Sequence, residues 1–107
     1  MFNDNDISDM ANICTNMFYC SSDKEQNIRK IEQFISEQFG WDGCDAEDNY
    51  LEGEFGSRWS FPESAMEEMI NSIDEDDTLY IRVLSYEFGC EYVSFRVYRD
   101  GEWSINL

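Results

Sequence analysis

The chain has 107 residues, with 24 acids against 7 bases and no histidine, for a net charge of −17. A chain of this length is expected to be one domain with a modest core, and its 42% hydrophobic and 16% aromatic content excludes a disordered chain despite the charge. No apolar run approaches a membrane span, and the negative field disfavours direct nucleic-acid binding.

The opening Met1-Phe2-Asn3-Asp4-Asn5-Asp6 is acidic and polar, the reverse of the basic start of a signal peptide. It gives the expectation of a cytoplasmic protein whose cysteines (Cys14, Cys20, Cys44, Cys90) are reduced thiols. Residues 1–10 read as a flexible arm, and residues 11–107 as a single domain. Ile13 to Tyr19 is strand-compatible. Ser22-Asp23-Lys24-Glu25 has the form of a capping box, opening a helix with apolar positions at Ile28, Ile31, Phe34, Ile35 and Phe39. Gly40 is its stop, and Glu25 and Arg29 are spaced as an i, i+4 pair.

Trp41 to Asn49 reads as an acidic loop. Tyr50 to Phe55 alternates, Leu51 and Phe55 to one face and Glu52 and Glu54 to the other, as in a half-buried strand. Ser60-Phe61-Pro62-Glu63 repeats the capping-box pattern ahead of a helix to about Ile73, with Ala65, Met66, Met69, Ile70 and Ile73 as the buried stripe. The run Asp74-Glu75-Asp76-Asp77 falls at the negative end of that helix dipole, and no neighbour in sequence compensates it. Alternating strands follow over 79–84, 92–98 and 102–107, the last two joined by Asp100-Gly101, a type I′ hairpin signal. The predicted class is α+β: a two-layer sandwich with two helices on one face of a mainly antiparallel sheet and a C-terminal β-hairpin.

Three segments resemble a known family. Asn12-Ile13-Cys14-Thr15-Asn16 is similar to an N-x-C-x-N strand, Trp59-Ser60-Phe61-Pro62 to W-S-P-P, and Tyr86-Glu87-Phe88-Gly89-Cys90-Glu91-Tyr92 to Y-x-E-x-G-x-x-F. In that order they resemble the Api92-like proteins of phages and plasmids, over roughly residues 11–98. Phe61 stands in place of the first proline and Tyr92 in place of phenylalanine. The resemblance implies a ferredoxin-like domain and an origin on a mobile element; it supplies no activity.

The acids are uneven. Residues 31–81 carry fifteen of them and one base, Arg58, while the ends are nearly neutral. Catalytic and metal-binding residues are not assigned, nor is a cofactor. The cysteines have no histidine base, and neither acidic run has the spacing of a calcium loop. The expectation is a small non-enzymatic binding protein that meets a basic protein partner through an acidic face of Glu52, Glu54, Glu63, Glu67, Glu68, Asp74, Glu75, Asp76 and Asp77. Its sharp form is a nucleic-acid mimic that inhibits a basic host protein. Evenly spread acids would give about one per 260 Å², against roughly one per 105 Å² on a duplex, so mimicry requires these residues to gather on one side. The alternatives are an oligomerising interaction domain, which an exposed apolar sheet face would favour, and a weak divalent-cation binder. Trp59 and Trp103 are expected in the core and Trp41 at the surface.

Overall fold

The computed structural model describes residues 12–107; the arm expected over residues 1–10 lies outside the described residues. The chain is α+β. The elements are β1 (Ile13–Ser21), α1 (Glu25–Gln38), β2 (Gly43–Ala46), β3 (Tyr50–Arg58), α2 (Glu63–Ser72), β4 (Tyr80–Glu87), a 3₁₀ turn (Phe88–Cys90), β5 (Tyr92–Arg99) and β6 (Glu102–Ile105). The six strands form one sheet in the order β2-β3-β1-β4-β5-β6, with every pairing antiparallel. The short β2, within the expected acidic loop, gives the sheet one more strand than the sequence pattern suggested. Its four residues are all exposed and carry no apolar alternation to mark them.

One side of the sheet is the core. Phe18, Cys20, Leu51, Phe55, Ile81 and Val83 come from alternate positions of β1, β3 and β4, and they pack with Ile28, Ile31 and Ile35 of α1 and Met66 and Met69 of α2. The alternation expected of Tyr50–Phe55 is present: Leu51 and Phe55 are fully buried, and Glu52 and Glu54 are exposed on the opposite face. Toward the far end of β1 the same face turns polar. Asn16 is fully buried, donates to Phe55 O (3.1 Å) and Ser57 Oγ (2.9 Å), and accepts from Ser85 Oγ (2.7 Å). Burial of such groups is tolerated because each has a partner.

Neither capping box forms. Helix α1 begins at Glu25 and α2 at Glu63, and no side-chain cap bond is made at either start. Ser22 accepts from Lys24 N (2.9 Å) and turns its hydroxyl to Asp76, while Glu63 binds Arg96 (2.7 Å). In both cases a tertiary partner displaces the local one. Two tryptophans also exchange the expected roles. Trp41 folds back over β3 against Phe18 and Phe55, its Nε1 donating to Glu32 O (3.1 Å), whereas Trp59 stays half exposed in a left-handed conformation (φ 74°). Trp41 reaches its site because β3 carries glycine there: a Cβ on Gly53 would sit 2.5 Å from Gly43 O and 2.8 Å from the indole ring. The Asp100-Gly101 turn has both residues at positive φ (54° and 83°), as type I′ requires.

Candidate functional site: an acidic cleft at the end of α2

Helix α2 stops at Ser72, and the chain from Ile73 to Leu79 runs past the start of α1 into β4. This segment carries the acidic run, and its carboxylates divide into two kinds. Asp76 faces inward: Ser22 Oγ and Asn27 Nδ2 (3.1 Å) donate to its Oδ2, and Thr78 donates to Oδ1 through its backbone N–H (2.9 Å) and hydroxyl (2.6 Å). Partial burial pushes this carboxyl up, but the bonds from Ser22, Thr78 and Asn27 outweigh it and hold the group at about 2. Asp74 is held by Lys30 (3.1 Å) and Gln26 (3.4 Å), whose hydrogen bonds lower its pKa. Lys24 Nζ donates to the Glu75 carbonyl. The acids at the negative end of α2 are thus met by side chains at the start of α1, Ser22, Gln26, Asn27 and Lys30, with Lys24 on the Glu75 carbonyl.

Glu75 and Asp77 keep exposed side chains. With Asp74, Asp76 and Asp100 they rim a cleft of about 550 Å³ whose floor is Ile70, Ile73, Leu79 and Tyr98; no basic residue lines it. An apolar floor under a carboxylate rim suits a lysine or arginine side chain, with its alkyl stem on the floor and its cationic head at the rim. The end of α2 adds negative potential in the same place.

The other expected acids lie elsewhere. Glu67 and Glu68 are exposed on α2. Glu63 is engaged by Arg96, whose guanidinium also lies over Phe61 (4.5 Å) and donates to Ser94 Oγ (3.1 Å). Glu52 and Glu54 point away from the core cluster that α2 joins through Met66 and Met69. With Asp42 and Asp45 they border a second, shallower depression of about 740 Å³ over Met17, Tyr19, Leu84 and Phe95. Arg82 lines it as well; at the acidic side, Asp45 first, then desolvation, Glu47 and Glu52 raise the pKa of Tyr50. The nine residues therefore do not form one continuous face. Asp100 was not singled out in the sequence, since its Asp-Gly pair reads as a turn; only the folded hairpin brings it beside the Asp74–Asp77 run.

All four thiols are pushed up: the buried Cys14 and Cys20 chiefly by desolvation, the surface Cys44 by partial desolvation and then by Glu32 and Asp45, and Cys90 chiefly by its hydrogen bond with Glu87. A protonated thiol is a poor nucleophile. Among the described residues no three Cys, Asp or Glu side chains converge as metal ligands, and no helix is long and apolar enough to cross a membrane. No known protein family, curated protein or solved structure matches the chain.

Proposed function

We propose that this is a small acidic, non-enzymatic binding protein that receives a basic side chain of a protein partner in the cleft at the end of α2. The observation that carries the reading is the cleft itself: the exposed carboxylates Glu75, Asp77 and Asp100, beside the internally held Asp74 and Asp76, around an apolar floor with no base lining it among the described residues. The raised thiols support a binding role over thiol chemistry. Dispersal of Glu52, Glu54, Glu67 and Glu68 away from the cleft favours recognition of individual basic side chains over mimicry of a whole duplex, the sharper form of the same reading.

We further infer a ferredoxin-like plan over β1 to β4. The order β2-β3-β1-β4, with α1 between β1 and β2 and α2 between β3 and β4, supports it, β5 and β6 then extending the sheet. The Api92-like segments also meet in space: Trp59 N donates to Asn12 O (2.8 Å), and Phe61 N donates to the Tyr92 hydroxyl (3.1 Å). This convergence favours the family reading, and with it an origin on a mobile element.

Titration with an arginine- and lysine-rich peptide tests the cleft. Binding should weaken steeply between low and high salt, and the triple variant Glu75→Gln, Asp77→Asn, Asp100→Asn should bind about tenfold or more weakly. An affinity indifferent to both salt and substitution would rule the cleft out. Asp74 and Asp76 stay unaltered in this test because they hold the fold.

A further inference from the structure

The sheet face opposite the core is unlike the rest of this protein. Its strand residues include four acids (Asp45, Glu52, Glu54, Glu102) and three bases (Arg58, Arg82, Arg99), nearly balanced in a chain of net charge −17. The two signs are also largely separated. Asp45, Glu52 and Glu54 stand on β2 and β3, and Arg82 and Arg99 on β4 and β5; the exceptions lie at the margins, Arg58 at the end of β3 and Glu102 on the edge strand β6 opposite Arg99. Between them runs an apolar row fixed by register, Met17 beside Leu84 and Leu84 beside Phe95. Met17 is 44% exposed, and Val93, one step further along β5 on the same face, 49%.

We propose that this face closes a twofold-symmetric dimer, two copies of the chain packed sheet against sheet. The strand order places three strands on either side of the β1–β4 seam. A twofold axis lying in the interface along that seam sets β1 of one copy over β4 of the other, and β3 over β5. Met17 then meets Leu84 twice. The acidic flank of each copy meets the arginine flank of the other, so the pattern complements itself, as an isologous interface requires. Aligned sheet packing at about 10 Å is the ordinary way to bury such faces. The four long strands, about 26–30 Å each, and the two four-residue edge strands, about 13 Å each, at about 4.8 Å spacing together span roughly 670 Å², close to the ~800 Å² per partner of a standard interface.

The arginines are prepared for this role. Arg82 lies over Tyr19 at 4.1 Å and Arg99 over Tyr80 at 5.2 Å. Among the described residues neither guanidinium reaches a carboxylate within ion-pair distance, in a chain with 24 acids. Held over aromatic rings, they lose little freedom when a partner's carboxylate arrives. The acids of the helical layer lie farther from the partner and are screened beyond about 8 Å at physiological salt.

Sedimentation equilibrium of the full chain tests the proposal. At roughly 100 µM, where even a micromolar dimer is formed, the mass should be twice 12.7 kDa. R82E and E52R should each raise the dimer dissociation constant about tenfold or more, with circular dichroism unchanged, and M17K at an exposed apolar position should do the same. An equimolar mixture of R82E and E52R should recover the dimer mass, because Arg82 of each copy lies at the level of Glu52 of the other, one strand to the side, so the exchanged charges pair across both halves of a twofold interface. A monomeric wild type, a dimer insensitive to all three substitutions, or a mixture that stays monomeric would each overturn the proposal. None of the three substitutions touches the acidic cleft, so its peptide binding is tested separately.

Discussion

The side-chain amide of Asn27 pairs with the backbone of Asp74 as one strand pairs with another: Oδ1 accepts from Asp74 N (3.0 Å), and Nδ2 donates to Asp74 O (3.0 Å). The same Nδ2 reaches Asp76 Oδ2 at 3.1 Å. Asn27 is fully buried in the first turn of α1, so it fixes the chain leaving α2 against the earlier helix, across 47 residues of sequence. Asn27→Ala leaves both Asp74 backbone groups without that partner. It should cost about 2–3 kcal/mol and lower Tm by roughly 10–20 °C, while Gln33→Ala on the exposed face of α1 should change stability by less than about 0.5 kcal/mol. Thermal unfolding followed by circular dichroism measures both.

Asp76 should make stability depend on acid. Its folded pKa, about 2, lies below the unfolded value of about 3.9. A depressed carboxylate stabilises the fold fully above the unfolded pKa, and that contribution is lost as pH falls through the folded one. Urea unfolding of wild type and Asp76→Asn should therefore differ by a constant amount from pH 7 to 5, roughly 1–2 kcal/mol at this partly solvated site. The difference should narrow below about pH 4 and be mostly gone near pH 2. A gap that persists undiminished at pH 2 would contradict the assignment.

Gly53 is a second point of dependence. Its Cβ position is occupied by the Gly43 carbonyl and the Trp41 ring, so Gly53→Ala must push β2 or the indole aside. A loss of about 1–3 kcal/mol is expected, read as a lower urea midpoint at unchanged slope. A blue-shifted Trp41 emission retained at wild-type stability would show that the site has room after all.

How far the sequence led differs between elements. The helical stripe of Ile28, Ile31 and Ile35, the in-out alternation of Leu51 to Phe55 and the Asp100-Gly101 turn could be read directly, because each depends on residues within a few positions of one another. Strand β2 could not be, since Gly43–Ala46 has no apolar alternation and exists only by pairing with β3. The helices begin at Glu25 and Glu63, where the pattern puts them, but the capping bonds do not form: Ser22 and Glu63 have the right local chemistry, and Asp76 and Arg96 offer charge-assisted bonds that win over the local cap.

The sequence by itself determined the two amphipathic helices, the antiparallel strands and a surplus of acid centred on residues 31–81, because periodicity and charge count are local quantities. Only the tertiary structure decided what each acid does. Chain folding set Asp74 and Asp76 against the start of α1, where Lys30 pairs with Asp74 and the Ser22 hydroxyl and Asn27 amide bond Asp76. It left Glu75, Asp77 and Asp100 around an apolar cleft, and it turned Glu52 and Glu54 to a sheet face where arginines nearly balance them. Electrostatic energy depends on distance and burial, and for residues fifty positions apart both are fixed by packing.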